Sequence, residues 1–103
     1  MKTGLILVDI QNDYFPGGSM ELVGMEKAGE KAGYLLDFFR KMDFPTFHIQ
    51  HFSIRPGATF FLPDTEGVEL HRCIEPVAGE RVIRKHFSNS FRDTPLASEI
   101  ETA

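Results

Sequence analysis

The chain has 103 residues, of which 42% are hydrophobic and 25% are charged, a composition typical of one globular domain rather than of a disordered segment. Its net charge of -4 argues against a nucleic-acid-binding surface, which requires a basic patch, and no apolar run approaches the roughly 20 residues of a membrane span. A single cysteine cannot form an internal disulfide bond, and the N-terminus shows no signal-peptide pattern, so the sequence favours a cytoplasmic protein.

The first predicted element is a strand within GLILVDI, residues 4 to 10. Its apolar residues run continuously instead of alternating with polar ones, which is typical of a parallel strand covered on both faces. Pro16, Gly17 and Gly18 then mark a turn or loop.

A helix is predicted next, because apolar residues recur at steps of three and four along residues 25 to 42. The helix should stop by Asp43, since Pro45 disfavours helical geometry at the residue before it. The apolar positions that carry this pattern are Met25, Ala28, Ala32, Leu35, Leu36, Phe39 and Met42.

The remaining elements alternate between strand and helix. Residues 46 to 52 alternate apolar and polar side chains and predict a second strand, and residues 53 to 80 form a long connection rich in Pro and Gly. A third strand, RVIRKHF, ends near Lys85, and Thr94 and Pro95 predict the N-cap and first position of a second helix. This order predicts an α/β fold with a parallel sheet.

Two charged residues stand at predicted strand ends, Asp9 after the first strand and Lys85 after the third. Ligands of open α/β sheets bind beyond the carboxyl ends of the strands, so both side chains are expected in one crevice. A carboxylate beside apolar walls and an ammonium group can serve as a general base. The alternative is a surface aspartate that stabilises the following loop and an ordinary exposed lysine.

Three stretches in order, LILVDIQNDYFPGG, GATFFLPDTEGVELH and GERVIRKHFSNSFRDTPL, cover nearly the whole chain. Together they resemble the isochorismatase-like cysteine hydrolases, which include nicotinamidases, N-carbamoylsarcosine amidases and isochorismatases. The resemblance implies a Rossmann-like three-layer α/β/α fold and an Asp-Lys-Cys triad that hydrolyses a small-molecule amide, carbamoyl or related C-N or C-O bond. In that triad Asp9 would take the proton of the cysteine thiol, Lys85 would help to hold the thiolate, and no cofactor is required.

No residue of this chain matches the nucleophilic cysteine of that family, which follows the next strand. Cys73 lies in the long connection and is interpreted as a partly buried loop thiol. The resemblance therefore implies one domain over residues 1 to 103, truncated before the nucleophile-bearing strand and helix. The first strand would then have a bare edge, and the expected partners are a homo-oligomer or a complementary C-terminal half, besides the small-molecule substrate. An inactive fragment, or a binding or assembly module on the same fold, is the alternative.

Five further residues are candidates for substrate contact. The Gln11 amide either faces the same crevice as Asp9 or stabilises its own loop, and aromatic rings are able to wall an apolar pocket. These candidates are Gln11, Phe15, Phe60, Phe61 and Phe91.

The four histidines, His48, His51, His71 and His86, are interpreted as ordinary strand and loop residues and not as metal ligands. His48 and His51 are three apart, which places them on opposite faces of a strand, and a metal site needs three or four convergent ligands.

Overall fold

The computed structural model describes residues 2–103 and contains three strands and two α-helices. Within this part of the chain no helix is both long enough and apolar enough to cross a membrane. In chain order the elements are β1 (Leu5–Val8), α1 (Met25–Lys41), β2 (Thr46–His51), β3 (Arg81–Lys85) and α2 (Leu96–Thr102), with short 3-10 turns at Asn12–Tyr14, Glu66–Val68 and Arg72–Ile74.

The three strands form one parallel sheet in the order β1-β2-β3. Leu7 pairs with His48 across the first strand pair, and Ile49 pairs with Ile83 across the second. Because β2 is central, five of its six residues are buried although its sequence alternates. The predicted parallel α/β sheet is confirmed.

β1 lies at one edge of the described sheet, and its two faces differ. Leu7 is 6% exposed, whereas Ile6 and Val8 are 41% and 45% exposed. Alternate residues of a strand point to opposite faces, so β1 is covered on one face only. Among residues 2–103, β1 is thus an edge strand with apolar side chains uncovered on one face.

α1 covers the face of the sheet that carries Leu7. Its buried residues Ala32 and Leu36 pack with Leu7 and with Ile74 from the long connection. The helix begins after Gly24, which has a left-handed φ of 76°, and ends before Pro45, whose carbonyl accepts a hydrogen bond from the Leu5 amide at 2.9 Å. The observed bounds agree with the predicted helix.

α2 covers the opposite face, so the described layers are α/β/α. Leu96 is 1% exposed and packs with Phe47, Ile49 and Ile83. The prediction that Thr94 is the N-cap and Pro95 the first helical residue was wrong by one position, because the helix starts at Leu96. The Thr94 hydroxyl still accepts a weak hydrogen bond from the Leu96 amide, at 3.4 Å.

A polar network lies on the α1 face beneath the central strand. The Arg40 guanidinium donates two hydrogen bonds to the Glu80 carboxylate, at 2.7 and 2.9 Å, and His48 Nε2 lies 2.9 Å from Glu80 Oε1. The Arg40 hydrogen bond is the main reason why the pKa of Glu80 falls to about 2. This network joins α1, β2 and the residue before β3.

The long connection between β2 and β3 is packed against the domain. Phe61 and Val68 are each 1% exposed and form a third apolar cluster with Phe52. Its return path is fixed by an antiparallel bridge between Gln11 and Leu70. The connection therefore covers the carboxyl ends of β1 and β2.

Candidate functional site

The two charged residues at the strand ends meet at one edge of the sheet. Asp9 follows β1 directly, and its amide donates to the Ile49 carbonyl at 3.0 Å. Lys85 ends β3, which lies two strand spacings, about 10 Å, from β1. The extended lysine side chain crosses the end of β2, so that Lys85 Nζ lies 3.4 Å from Asp9 Oδ2.

Asp9 leaves the strand in an unusual backbone conformation, with a φ of 59°. This left-handed region is unfavourable for most L-residues, and Asp and Asn adopt it more readily because of their short polar side chains. The turn ends strand pairing immediately after Val8 and directs the chain into the 3-10 turn at Asn12–Tyr14.

The surroundings of Lys85 compensate for the burial of its charge. Its side chain is 2% exposed, and Nζ donates to the carbonyl oxygens of Phe87 and Ser88 at 3.1 and 3.4 Å. Together with the Asp9 carboxylate, these oxygens replace the water that a buried ammonium group loses.

The Asp9 carboxylate has one oxygen facing Lys85 and one without a hydrogen-bond partner. Its side chain is 22% exposed, but Oδ1 itself is buried and unpartnered within residues 2–103. Most buried carboxylate oxygens in proteins accept a hydrogen bond, so this oxygen is an exception. A free carboxylate oxygen beside a fixed cation is able to accept a proton from a reacting group.

The pair opens into a cavity of about 460 Å³, within the range of small-molecule sites. One side of the cavity is an aromatic wall formed by Tyr14, Phe60 and Phe61. The Phe61 ring centroid lies 4.7 Å from that of Tyr14 and 5.0 Å from that of Phe60. The cavity is lined by Asp9, Tyr14, His51, Ser53, Ile54, Arg55, Phe60, Phe61, Lys85, His86, Phe87 and Ser88.

Two titratable neighbours of the pair are shifted toward their neutral forms. Burial, together with the Lys85 charge, lowers the pKa of His51 below its ordinary value of 6.5. Burial and the nearby Asp9 carboxylate raise the pKa of Tyr14 above 10.0. At neutral pH these two side chains therefore add polar surface without adding charge.

Only two of the five predicted substrate contacts reach this cavity, Phe60 and Phe61. Phe15 is buried elsewhere and stacks on His71 with the ring centroids 3.6 Å apart. Phe91 is 52% exposed and does not line the cavity. Neither ring therefore lines the cavity that contains Asp9 and Lys85 in the described part of the chain.

Gln11 is also placed away from the cavity, with its side chain fully buried. Its Nε2 donates to the carbonyls of His51 and Val68, and its Oε1 accepts from the His51 amide. These bonds join the β1 loop to the end of β2 and to the long connection, which is the arrangement expected of a loop-stabilising amide.

The sequence predictions missed several polar or aromatic cavity residues, among them His51, Tyr14 and Arg55. His51 is the last residue of the central strand, and the rule that located Asp9 and Lys85 applies to it equally. Tyr14 and Arg55 lie in loops, where only the fold shows which cavity they reach.

Cys73 is not part of this cavity. It lies in the 3-10 turn at Arg72–Ile74, is partly buried, and packs against the α1 core. Burial raises the pKa of its thiol above 9.0, which disfavours the reactive thiolate. This placement agrees with the interpretation of Cys73 as a loop thiol.

The histidines occupy separate surroundings. His48 is buried beneath the sheet beside Glu80, His51 and His86 line the cavity, and His71 accepts a hydrogen bond from the Cys73 amide. No group of three or more His, Cys, Asp or Glu side chains in the described part of the chain is arranged to hold a metal ion.

A larger cavity of about 630 Å³ lies on the other side of the β1 loop. Neither Asp9 nor Lys85 lines it; its charged residues are Asp13, Glu66, Arg72 and Glu75. We place the candidate site in the smaller cavity because that one contains the buried ion pair and the unpartnered carboxylate oxygen.

Comparison with known proteins gives a consistent result. Residues 3–102 match the Isochorismatase domain family model. The chain is 48% identical over 101 residues to the uncharacterized isochorismatase family protein YddQ of Bacillus subtilis, and the match covers 98% of this chain and 56% of that protein. The chain therefore spans little more than half the length of this relative.

Two crystal structures show the same fold. A protein of Oleispira antarctica classed as an isochorismatase hydrolase superposes with a TM-score of 0.94 at 41% identity, over 99% of this chain and 56% of that chain. N-carbamoylsarcosine amidase of Thermoplasma acidophilum superposes with a TM-score of 0.90 at 22% identity, over 99% and 62% of the respective chains, which is a likeness of fold alone.

Proposed function

Because the chain belongs to the isochorismatase family of hydrolases, we propose that it supplies Asp9 and Lys85 to a cysteine hydrolase that cleaves a small-molecule amide, carbamoyl or related C-N or C-O bond. The observation that supports this proposal is the 3.4 Å approach of Lys85 Nζ to Asp9 Oδ2 at the mouth of a cavity of small-molecule size. A cytoplasmic location, suggested by the single cysteine, is part of the same proposal.

Asp9 acts as the general base in this proposal. Its carboxylate accepts the proton of a cysteine thiol, which comes from outside these 103 residues, and the thiolate sulfur bonds to the substrate carbonyl carbon. The C-N bond breaks, and the amine leaves with the proton that Asp9 accepted. Water then adds to the acyl-sulfur intermediate and gives a proton to Asp9, the C-S bond breaks, and the acid product is released as the proton returns to the sulfur.

Lys85 contributes a fixed positive charge beside the proton acceptor. It holds the Asp9 carboxylate in place and stabilises the negative charge that forms on sulfur after proton transfer. The aromatic wall of the cavity contacts the body of the substrate in this proposal, and its apolar surface keeps water away from the reacting groups.

The test is Asp9→Asn in the complete protein. Asparagine keeps the side-chain shape and tolerates the left-handed backbone, but it cannot accept the thiol proton. We expect kcat/KM to fall at least about 100-fold, the usual contribution of a general base. Ammonia release from a panel of small amides and carbamoyl compounds measures the rate, and far-UV circular dichroism verifies the fold.

The matched control is Asp43→Asn. Asp43 also has a left-handed φ, 56°, but it is exposed at the end of α1, away from the cavity. We expect this variant to retain full activity. An Asp9→Asn protein with unchanged kcat/KM would refute the role assigned to Asp9.

The second candidate function is an inactive binding or assembly module, and the exposure of Ile6 and Val8 on an edge strand favours it. An unpaired parallel edge with uncovered apolar side chains favours association with another chain. Static light scattering at decreasing protein concentration measures this association. A stable compact monomer would count against the second function.

A further inference from the structure

Asp13 is a buried carboxylate without a cationic partner. The residue is 4% exposed, and no lysine, arginine or histidine nitrogen lies within 4 Å of it in the part of the chain that the structure describes. Instead, Oδ1 accepts a hydrogen bond from the Ser19 amide at 3.1 Å, and Oδ2 accepts one from the Phe61 amide at 2.7 Å. Burying a carboxylate is costly, so a group held by backbone amides alone calls for an explanation.

The Asp13 carboxylate is tightly packed. Gly67, in the 3-10 turn at Glu66–Val68, packs directly against it, and any side chain at position 67 would collide with the carboxylate oxygens. Three loops therefore converge on Asp13: its own turn, the Phe61 segment, and the turn that contains Gly67.

The partner of Asp13 is itself strained. Phe61 has a φ of 55°, and this left-handed conformation is unfavourable for a bulky L-residue. The Phe61 amide is held by Asp13, and the Phe61 carbonyl accepts from the Ser53 amide at 2.9 Å. Such conformations persist only where the surroundings fix them, and they concentrate at functional sites.

The conformation of Phe61 determines where its ring lies. The side chain is 1% exposed and packs between Tyr14 and Phe60, the other two members of the aromatic wall, and close to His51. Tyr14 directly follows Asp13 in the chain, and the Asp13 carboxylate binds the Phe61 amide. Asp13 is therefore connected to two of the three residues of the aromatic wall.

We propose that Asp13 is a positioning residue: by holding the Phe61 backbone in its left-handed conformation, its carboxylate sets the aromatic wall against which the substrate packs. The inference rests on the proposed function, because it concerns the substrate cavity of the same site. Asp13 lies in no hydrogen bond or ion pair with Asp9 or Lys85 among residues 2–103, so it acts on substrate contact and not on proton transfer.

The variant that tests this role is Asp13→Asn. An asparagine side chain has one acceptor oxygen, so it leaves either the Phe61 or the Ser19 amide facing an NH2 group. We expect KM to rise about tenfold and kcat to stay within about threefold, with an unchanged pH profile of kcat/KM. Asp43→Asn is again the control and should leave KM unchanged.

A second readout does not depend on turnover. The chain has two tyrosines, Tyr14 in the wall and Tyr34, which is 71% exposed on α1. In protein labelled with 3-fluorotyrosine, Asp13→Asn should shift the fluorine resonance of Tyr14 and leave that of Tyr34 in place. Tyr34→Phe identifies the signal of Tyr34, and Tyr14→Phe identifies that of Tyr14.

These readouts separate the two proposals. If Asp9→Asn remains active, the proposed function fails, while the Tyr14 resonance still decides whether Asp13 sets the wall. An unmoved Tyr14 resonance, or a fall in kcat at constant KM, would overturn the positioning role. If Asp13→Asn does not fold, Gly67→Ala takes its place, since the added methyl group displaces the carboxylate without removing it, and the same results are expected.

Discussion

The Arg40–Glu80–His48 network predicts how stability depends on pH, and Glu80→Gln is the perturbation that tests it. The Glu80 side chain is 9% exposed, and its carboxylate accepts two hydrogen bonds from Arg40. These bonds favour the ionised form and lower the pKa of Glu80 from 4.5 to about 2. Because the pKa is lower in the folded state, the stabilisation is present above pH 4.5 and is lost as the pH falls toward 2.

The size of the effect follows from the shift. At about 1.4 kcal/mol per pKa unit, the full contribution at neutral pH is about 3 kcal/mol. Roughly 2 kcal/mol of this is lost between about pH 7 and pH 3, where the unfolded-state carboxyl is protonated and the folded-state carboxyl is still ionised. Glutamine does not titrate. The difference in free energy of unfolding between wild type and Glu80→Gln should therefore decrease by roughly 2 kcal/mol between about pH 7 and pH 3.

Urea denaturation followed by circular dichroism, repeated from about pH 7 to about pH 3, measures the free energy of unfolding of both proteins. Glu30→Gln, which changes an exposed glutamate on α1, is the matched control and should give a curve parallel to that of wild type. A constant difference between wild type and Glu80→Gln across this pH range would refute the reasoning.

Two further predictions concern the packing of α1. Leu36→Ala leaves a cavity beneath the helix, since Leu36 is 1% exposed, and should lower the free energy of unfolding by about 2–5 kcal/mol; a loss below about 1 kcal/mol would contradict this packing. Gly29→Ala should destabilise the protein by about 1 kcal/mol despite the better helix propensity of alanine, because the new Cβ would lie 2.9 Å from the Phe15 ring. Ala28→Gly, at an exposed position of the same helix, measures helix propensity alone and should lower the free energy of unfolding by about 1 kcal/mol. If Gly29→Ala instead stabilises the protein, the Phe15 ring moves aside at little cost, which would contradict the prediction.

The sequence predicted the architecture well because its signals are local and periodic. Spacing of three and four residues identified α1, and continuous or alternating apolar runs identified the strands. Parallel strands end at the same edge of a sheet, so the positions of Asp9 and Lys85 in the sequence were enough to predict that they meet.

The lining of the cavity was less predictable because apolar rings suit a core and a cavity equally well. Phe60 and Phe61 reach the cavity, but Phe15 stacks on His71 and Phe91 faces solvent. The difference depends on how the long connection folds back over the strand ends, and no periodicity encodes that path.

The backbone conformation of Phe61 is a further feature of the site that the sequence did not predict. The left-handed φ of Phe61 has no sequence signature, since Gly or Asn would be expected at such a position. It is stabilised by Asp13, which lies 48 residues earlier in the chain. The role of Asp13 therefore becomes visible only once the loops are assembled.

The left-handed turn at Asp9 affects how mutations at this position are to be interpreted. Alanine or glutamate at position 9 would change two properties at once, the acid group and the ease with which the chain bends out of the sheet. A loss of function in either variant could then result from the altered acid group or from distortion of the strand end, and the two causes could not be distinguished. Asparagine separates the two, and glycine, which bends freely but carries no side chain, completes the comparison.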